Sequence, residues 1–195
     1  MTTYHPVNKV LFELYRFIDD AFIDYFISLP APEFWRSQVE RYEQELGNLF
    51  RSNGVSEVDI KCRIDQQSKM FVEGEFKVQT TIANLKANLE PGRWENIQAQ
   101  RAIKTIYDDW DSQYRVELKK IIGHTVKGDI WGDLRFIRQS LTHRCAIGIN
   151  DLSKTKLIKD FLPDQPIIFT PAIMKKIQQE LENWYTEFQI KYFSL

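Results

Sequence analysis

The stretch Asp129–Gly148, DIWGDLRFIRQSLTHRCAIG, decides how the chain is read. Wound at about 100° per residue, it sets Leu134, Leu141 and Cys145 on one side and Phe136, Ser140 and Ile147 on another. Two apolar stripes on one helix require neighbours on two sides, so this segment is expected at the centre of a helical packing. A Gly-Asp pair opens it, and Gly148 is its candidate end. It also carries the two best candidates for chemistry, Arg138 and His143, with four residues between them. Five steps turn a helix by roughly 140°, so the two side chains do not share a face. To meet one substrate, Arg138 must lean round the helix, the last turn must be distorted, or two copies of the motif must face each other in a dimer.

Outward from this stretch, the chain reads as helices. Val7, Val10, Leu11, Leu14, Ile18, Ala21, Phe22 and Tyr25 recur at three and four, the helical period, up to the break at Leu29-Pro30-Ala31-Pro32. A second helix runs from about Pro32 to Ser52, with Trp35, Val39, Tyr42, Leu46 and Leu49 on one stripe, and Asn53-Gly54 stops it. Val58–Leu89 is read as helix interrupted near Gly74, although Met70–Val78 also alternates as a short strand pair does. Glu90-Pro91-Gly92 makes a loop, after which Ala99, Ile103, Ile106, Trp110, Tyr114, Leu118 and Ile121 mark a helix from Trp94 to Ile122. Beyond Gly148, Asn150 or Asp151 caps a short helix over Leu152–Phe161, and Pro163–Phe169 is extended. Thr170-Pro171 launches a last helix through Ile173, Ile177, Leu181, Trp184 and Phe188. The expectation is an all-α bundle of long antiparallel helices, with at most a minor short strand, in one domain over residues 1–195.

Composition agrees with a folded helical protein and excludes several classes. Of 195 residues, 43% are hydrophobic and 13% aromatic, enough to bury a core, while eight Gly and seven Pro are few for a many-turned β fold. The net charge of −1 rules out a molecule that binds nucleic acid by bulk charge. Basic charge is local instead: Arg115 to Arg144 holds seven Lys or Arg against three acids. Glu13, Arg16, Asp19, Asp20 and Asp24 interrupt the first helix, so no membrane span is expected. Cys62 and Cys145 form no ligand spacing, and no signal-peptide pattern opens the chain, which points to the cytoplasm. The scattered His5 and His124 make no metal site, Asp108, Asp109 and Asp111 read as a solvated face, and no phosphate-loop or nucleophile-elbow motif occurs. No metal or cofactor is expected.

GDLRFIRQSLTHRCAI in this all-helical setting resembles the HEPN superfamily, whose motif is Arg, four to six residues, then His. The similarity reaches from Trp110, Tyr114 and Arg115 through the motif to Phe161–Pro171, about the C-terminal half of the chain. Gln139 stands where Asn, Asp or His usually follows the motif Arg, and keeps the polar character. The resemblance implies a HEPN-like bundle and a metal-independent endoribonuclease, with a role as a toxin or in antiviral defence. It implies a homodimer that pairs two motifs into one composite site, with Arg138 and His143 catalytic and Gln139, Arg135 and Arg144 binding RNA. An antitoxin or a nucleotidyltransferase is the further partner it suggests. The competing expectation is a non-catalytic module for dimerisation or for binding a partner or nucleotide. In that reading His143 is a helix-end histidine and Arg138 pairs with Asp133 or Asp129.

Overall fold

A computed structural model describes residues 6–37, 40, 57–63, 75–81, 87, 89–90 and 92–193. In chain order these form α1 (Pro6–Ser28), β1 (Glu57–Arg63), β2 (Glu75–Thr81), α2 (Arg93–Asp109), a π-helical turn (Trp110–Tyr114), α3 (Arg115–Ile122), α4 (Asp129–His143), a 3-10 turn (Asn150–Lys154) and α5 (Pro171–Phe193). The fold class is all-α, as read from the sequence, with one short hairpin added. The sequence was read as one domain; the chain's contacts fall into two compact units, Met1–Leu29 with Glu95–Leu195, and Pro30–Trp94.

In the Pro30–Trp94 unit, residues 31–37 are helical, as the Pro32 start implies. Most of the helix expected up to Ser52 lies outside the described residues. Within the helix expected over Val58–Leu89, residues 58–63 and 75–81 are strands instead, β1 and β2 pairing antiparallel with Ile60 opposite Val78 and Arg63 opposite Glu75, while residue 87 is helical. Val58, Ile60 and Cys62 alternate with polar residues, as do Phe76 and Val78, and that period of two is the strand signal.

The larger unit is built on the helical stripes. From α1, Val7, Val10, Leu11, Leu14, Ile18, Phe22 and Tyr25 are buried, and this helix packs against the π-turn, α3 and α5. Ala99, Ile103 and Ile106 of α2 are fully buried, and burial continues through Trp110, Tyr114 and Leu118 to the partly buried Ile122. Ile121, expected inside, is 38% exposed. The π-turn is the cause: Arg115 N–H donates to the carbonyl of Trp110, five residues back, and the wider turn shifts the face that follows.

α4 is central, but it stops at His143 rather than near Gly148. Ser140 ends it. Its carbonyl accepts from the N–H of Arg144 and of Ala146, and its hydroxyl accepts from Ile149 N–H at 3.1 Å while donating to the carbonyl of Phe136. Cys145 (φ 50°) and Ala146 (φ 65°) then take left-handed conformations, and the chain returns to pair Ile147 with Pro166. Gly148 permits the return, because a Cβ there would lie 2.2 Å from the carbonyl oxygen of Leu162. The helix expected over Leu152–Phe161 is reduced to the 3-10 turn, since the N–H groups of Lys156, Leu157 and Ile158 donate to the Asp133 carboxylate instead of to a helix. Thr170 caps α5 as expected, its hydroxyl accepting from Ile173 N–H at 3.3 Å. No helix among the described residues is long and apolar enough to cross a membrane.

Candidate functional site

Three tryptophans hold the π-turn, α4 and α5 together. Trp110 and Trp131 stack with ring centroids 4.1 Å apart, and Trp184 meets them edge-on at 5.2 and 5.4 Å. Gly128, just before α4, makes the approach possible, since a Cβ there would meet the Trp184 indole at 2.5 Å. Trp110 is 1% exposed and Tyr114 8%, so these aromatic residues pack the core and offer no face for stacking a base.

Above this stack lies a cleft of about 880 Å³ between the π-turn, the segment before α4, and α4 itself. Arg135, Arg138 and Gln139 line it, together with Tyr107, Arg115 and Trp131. Burial pushes the Tyr107 hydroxyl pKa above its ordinary value, with the negative charge of Asp111 adding to the effect. Arg138 donates through Nε to Asp108 Oδ1 at 2.8 Å, with the two side chains 30% and 45% exposed. Among the described residues only Nε is engaged, which leaves the two terminal amino groups of the fork to donate to two oxygens of one phosphate. The expected partners of Arg138, Asp133 and Asp129, are otherwise occupied: Asp133 binds three backbone N–H groups and Asp129 pairs with Lys156 at 2.7 Å.

His143 stands apart from this cleft. It is exposed in the last turn of α4, with no hydrogen-bond partner among the described residues, and it does not line the wall that Arg138 lines. Arg144 follows it at the helix end and donates to Asp164 at 3.2 Å. One copy of the chain therefore brings Arg135, Arg138 and Gln139 together and leaves His143 and Arg144 on a separate corner. Arg135 places its guanidinium 4.8 Å from the centroid of the Phe136 ring and has no carboxylate partner among the described residues.

Two residues with structural roles around the site were misread from the sequence. Asp108 orients Arg138 from thirty positions away, and no local signal marks that. Asp133 had one: it falls with Ile130, Leu134 and Ile137 on the three-four stripe that faces the core, where a carboxylate has to find buried donors. Asp108 and Asp111 are each paired to an arginine, and among the described residues no three His, Cys, Asp or Glu side chains group as metal ligands. Comparison with known protein families, curated proteins and solved structures finds no match to this chain. The side chains themselves must carry the functional argument.

Proposed function

We propose that the chain is a metal-independent endoribonuclease whose active site is completed by two copies, as its resemblance to the HEPN superfamily implies. The observation that carries this reading is the separation, on one helix, of an oriented arginine from an exposed histidine that has no partner among the described residues. A group that has no partner among the described residues of its own chain is available to one on another copy. In a two-fold dimer, the two copies of His143 supply both halves of a proton transfer. One imidazole takes the proton of the ribose 2′-hydroxyl as that oxygen attacks the adjacent phosphorus. The other, as imidazolium, gives a proton to the departing 5′-oxygen. Arg138 holds the phosphoryl oxygens with its free amino groups and offsets the charge that develops there. The products are a 2′,3′-cyclic phosphate and a 5′-hydroxyl end. Gln139, Arg135 and Arg144 bind the strand on either side. Such an enzyme acts on cytoplasmic RNA as a toxin or in antiviral defence, under the restraint of an antitoxin or a nucleotidyltransferase.

The test is cleavage of a mixed RNA by the purified protein in EDTA. Wild type is expected to cut and leave cyclic-phosphate ends, and His143→Ala and Arg138→Ala are each expected to be inactive. Wild type dissociated and reassociated with an excess of His143→Ala then reports whether the site is composite, because mixed dimers keep one of the two imidazoles and cutting should fall below the share of wild type added. Equal cutting by His143→Ala and wild type would sink the proposal. The ion pair between Arg138 and Asp108 favours the second reading, an interaction module in which both polar residues are structural. That reading gains if no variant or wild type cuts RNA while Arg138→Ala loses stability.

A further inference from the structure

The cleft beside α4 holds more donor capacity than the chain uses. Three carboxylates line it and all are engaged: Asp108 by Arg138, Asp111 by Arg115, and Asp129 by Lys156, which is not on the wall. Four cations line it, and two of them, Lys127 and Arg135, have no carboxylate partner among the described residues. Two residues of the wall also carry a buried N–H with no acceptor among the described residues, Nε1 of Trp131 and Nε of Arg115. Trp131 is only 4% exposed, and a buried donor left without an acceptor is costly. The first turn of α4 also opens on the cleft through Gly128 and Asp129, and no side chain caps it. Its free N–H groups and the helix dipole add to the positive potential.

Spare cations and an uncapped helix start on one cleft call for the same complement, a ligand that only accepts hydrogen bonds and carries more than one negative charge. We propose that this cleft binds a phosphomonoester, with the phosphate held by Arg135, Lys127 and the free amino groups of Arg138. At about 880 Å³ the space exceeds what a bare phosphate fills and lies in the range of sites for small organic molecules. The ring of Trp131 and the side chain of Val126 supply apolar wall for the remainder of the ligand. Gly132 keeps the wall open: it lines the cleft, and a Cβ built there meets nothing within 4 Å. The ligand is either a small organic phosphate or the phosphorylated end of an RNA strand. The proposal goes beyond the nuclease reading, and its test involves no cleavage.

Nitrogen-edited NMR of the full chain resolves one indole N–H signal for each of five tryptophans, and the signal lost in Trp131→Phe belongs to Trp131. Ribose 5-phosphate at millimolar concentration is expected to shift that signal to saturation, inorganic phosphate to shift it more weakly, and ribose to leave it in place. Arg135→Ala should weaken binding by about tenfold or more. Gly132→Leu, whose side chain enters the open space, should abolish binding while the protein melts as wild type does. Calorimetric titration of wild type and Gly132→Leu reads the same difference if Trp131→Phe does not fold. A 5′-phosphorylated trinucleotide that binds more tightly than both ribose 5-phosphate and its 5′-hydroxyl counterpart would assign the site to an RNA end; equal binding with ribose 5-phosphate would assign it to a small ligand. No shift of the Trp131 signal with any phosphate, or undiminished binding by Gly132→Leu, overturns the proposal.

Discussion

The two ends of α4 belong to one helix and are held in opposite ways. From its start as far as Arg138, Trp131 is locked in a stack, Asp133 is 2% exposed and binds three backbone N–H groups, and Arg138 is oriented by a carboxylate. At its end, His143 is exposed and unpartnered among the described residues, and the two residues after Arg144 sit in left-handed backbone without being glycine. The first end is organised by packing against its neighbours. The second is organised by one serine and carries backbone strain, the kind of arrangement that persists where the surroundings over-determine it. The difference teaches that a single copy completes the arginine half of the proposed site and presents the histidine half to whatever lies outside.

The largest expected effect tests the well-held end. Asp133→Ala leaves the N–H groups of Lys156, Leu157 and Ile158 without their acceptor, and chemical denaturation should show a loss of about 3–5 kcal/mol. A loss below about 1 kcal/mol would mean the segment after the 3-10 turn is held by its apolar residues alone. Next, Ser140→Ala removes the hydroxyl that joins Phe136 to Ile149, and should cost about 1–2 kcal/mol in the same measurement. If His143 depends on this corner, RNA cleavage should fall in that variant even well below its melting temperature.

Relief of strain at the loose end comes third. Cys145→Gly places the residue that favours φ 50° there, and should raise stability by up to about 1 kcal/mol, less what the unfolded chain gains in freedom. A destabilised variant would show that the Cys145 side chain contributes more than its backbone costs. The smallest expected effect on stability belongs to Asp108→Ala, because a half-exposed ion pair contributes below about 1 kcal/mol. Its effect on cleavage should be far larger, since the arginine fork loses its orientation. A variant that cuts RNA normally would reduce Asp108 to the solvated surface charge that the sequence alone suggests.

How much was legible differs between the same regions. The core stripes of α1, α2 and α5 could be read residue by residue, from Val7 to Tyr25, at Ala99, Ile103 and Ile106, and from Ile177 to Phe188. Thr170 and Pro171 marked the start of α5 because capping is a local matter. The end of α4 was misplaced because three N–H groups received by the two oxygens of Ser140 decide it, and serine at that position resembles any polar helix residue. Ile121 was placed inside because the period was assumed constant, whereas the π-turn changes it. The hairpin was underweighted because a strand's partner lies elsewhere in the chain, while the helical period is visible within it.

By itself the sequence determined the helical class, the apolar faces, and the presence of Arg138, Gln139 and His143 on one element. These follow from periodicities and residue chemistry that act within a few turns. Tertiary structure alone decided that Asp108 holds Arg138, that Asp133 serves Lys156, Leu157 and Ile158 rather than Arg138, and that His143 lies off the cleft. Asp108 and Arg138 are thirty positions apart, as many as 25 separate Asp133 from Ile158, and only folding sets which carboxylate comes within 2.8 Å of which donor. Hydrogen bonds require that approach in space, and spacing along the chain does not encode it.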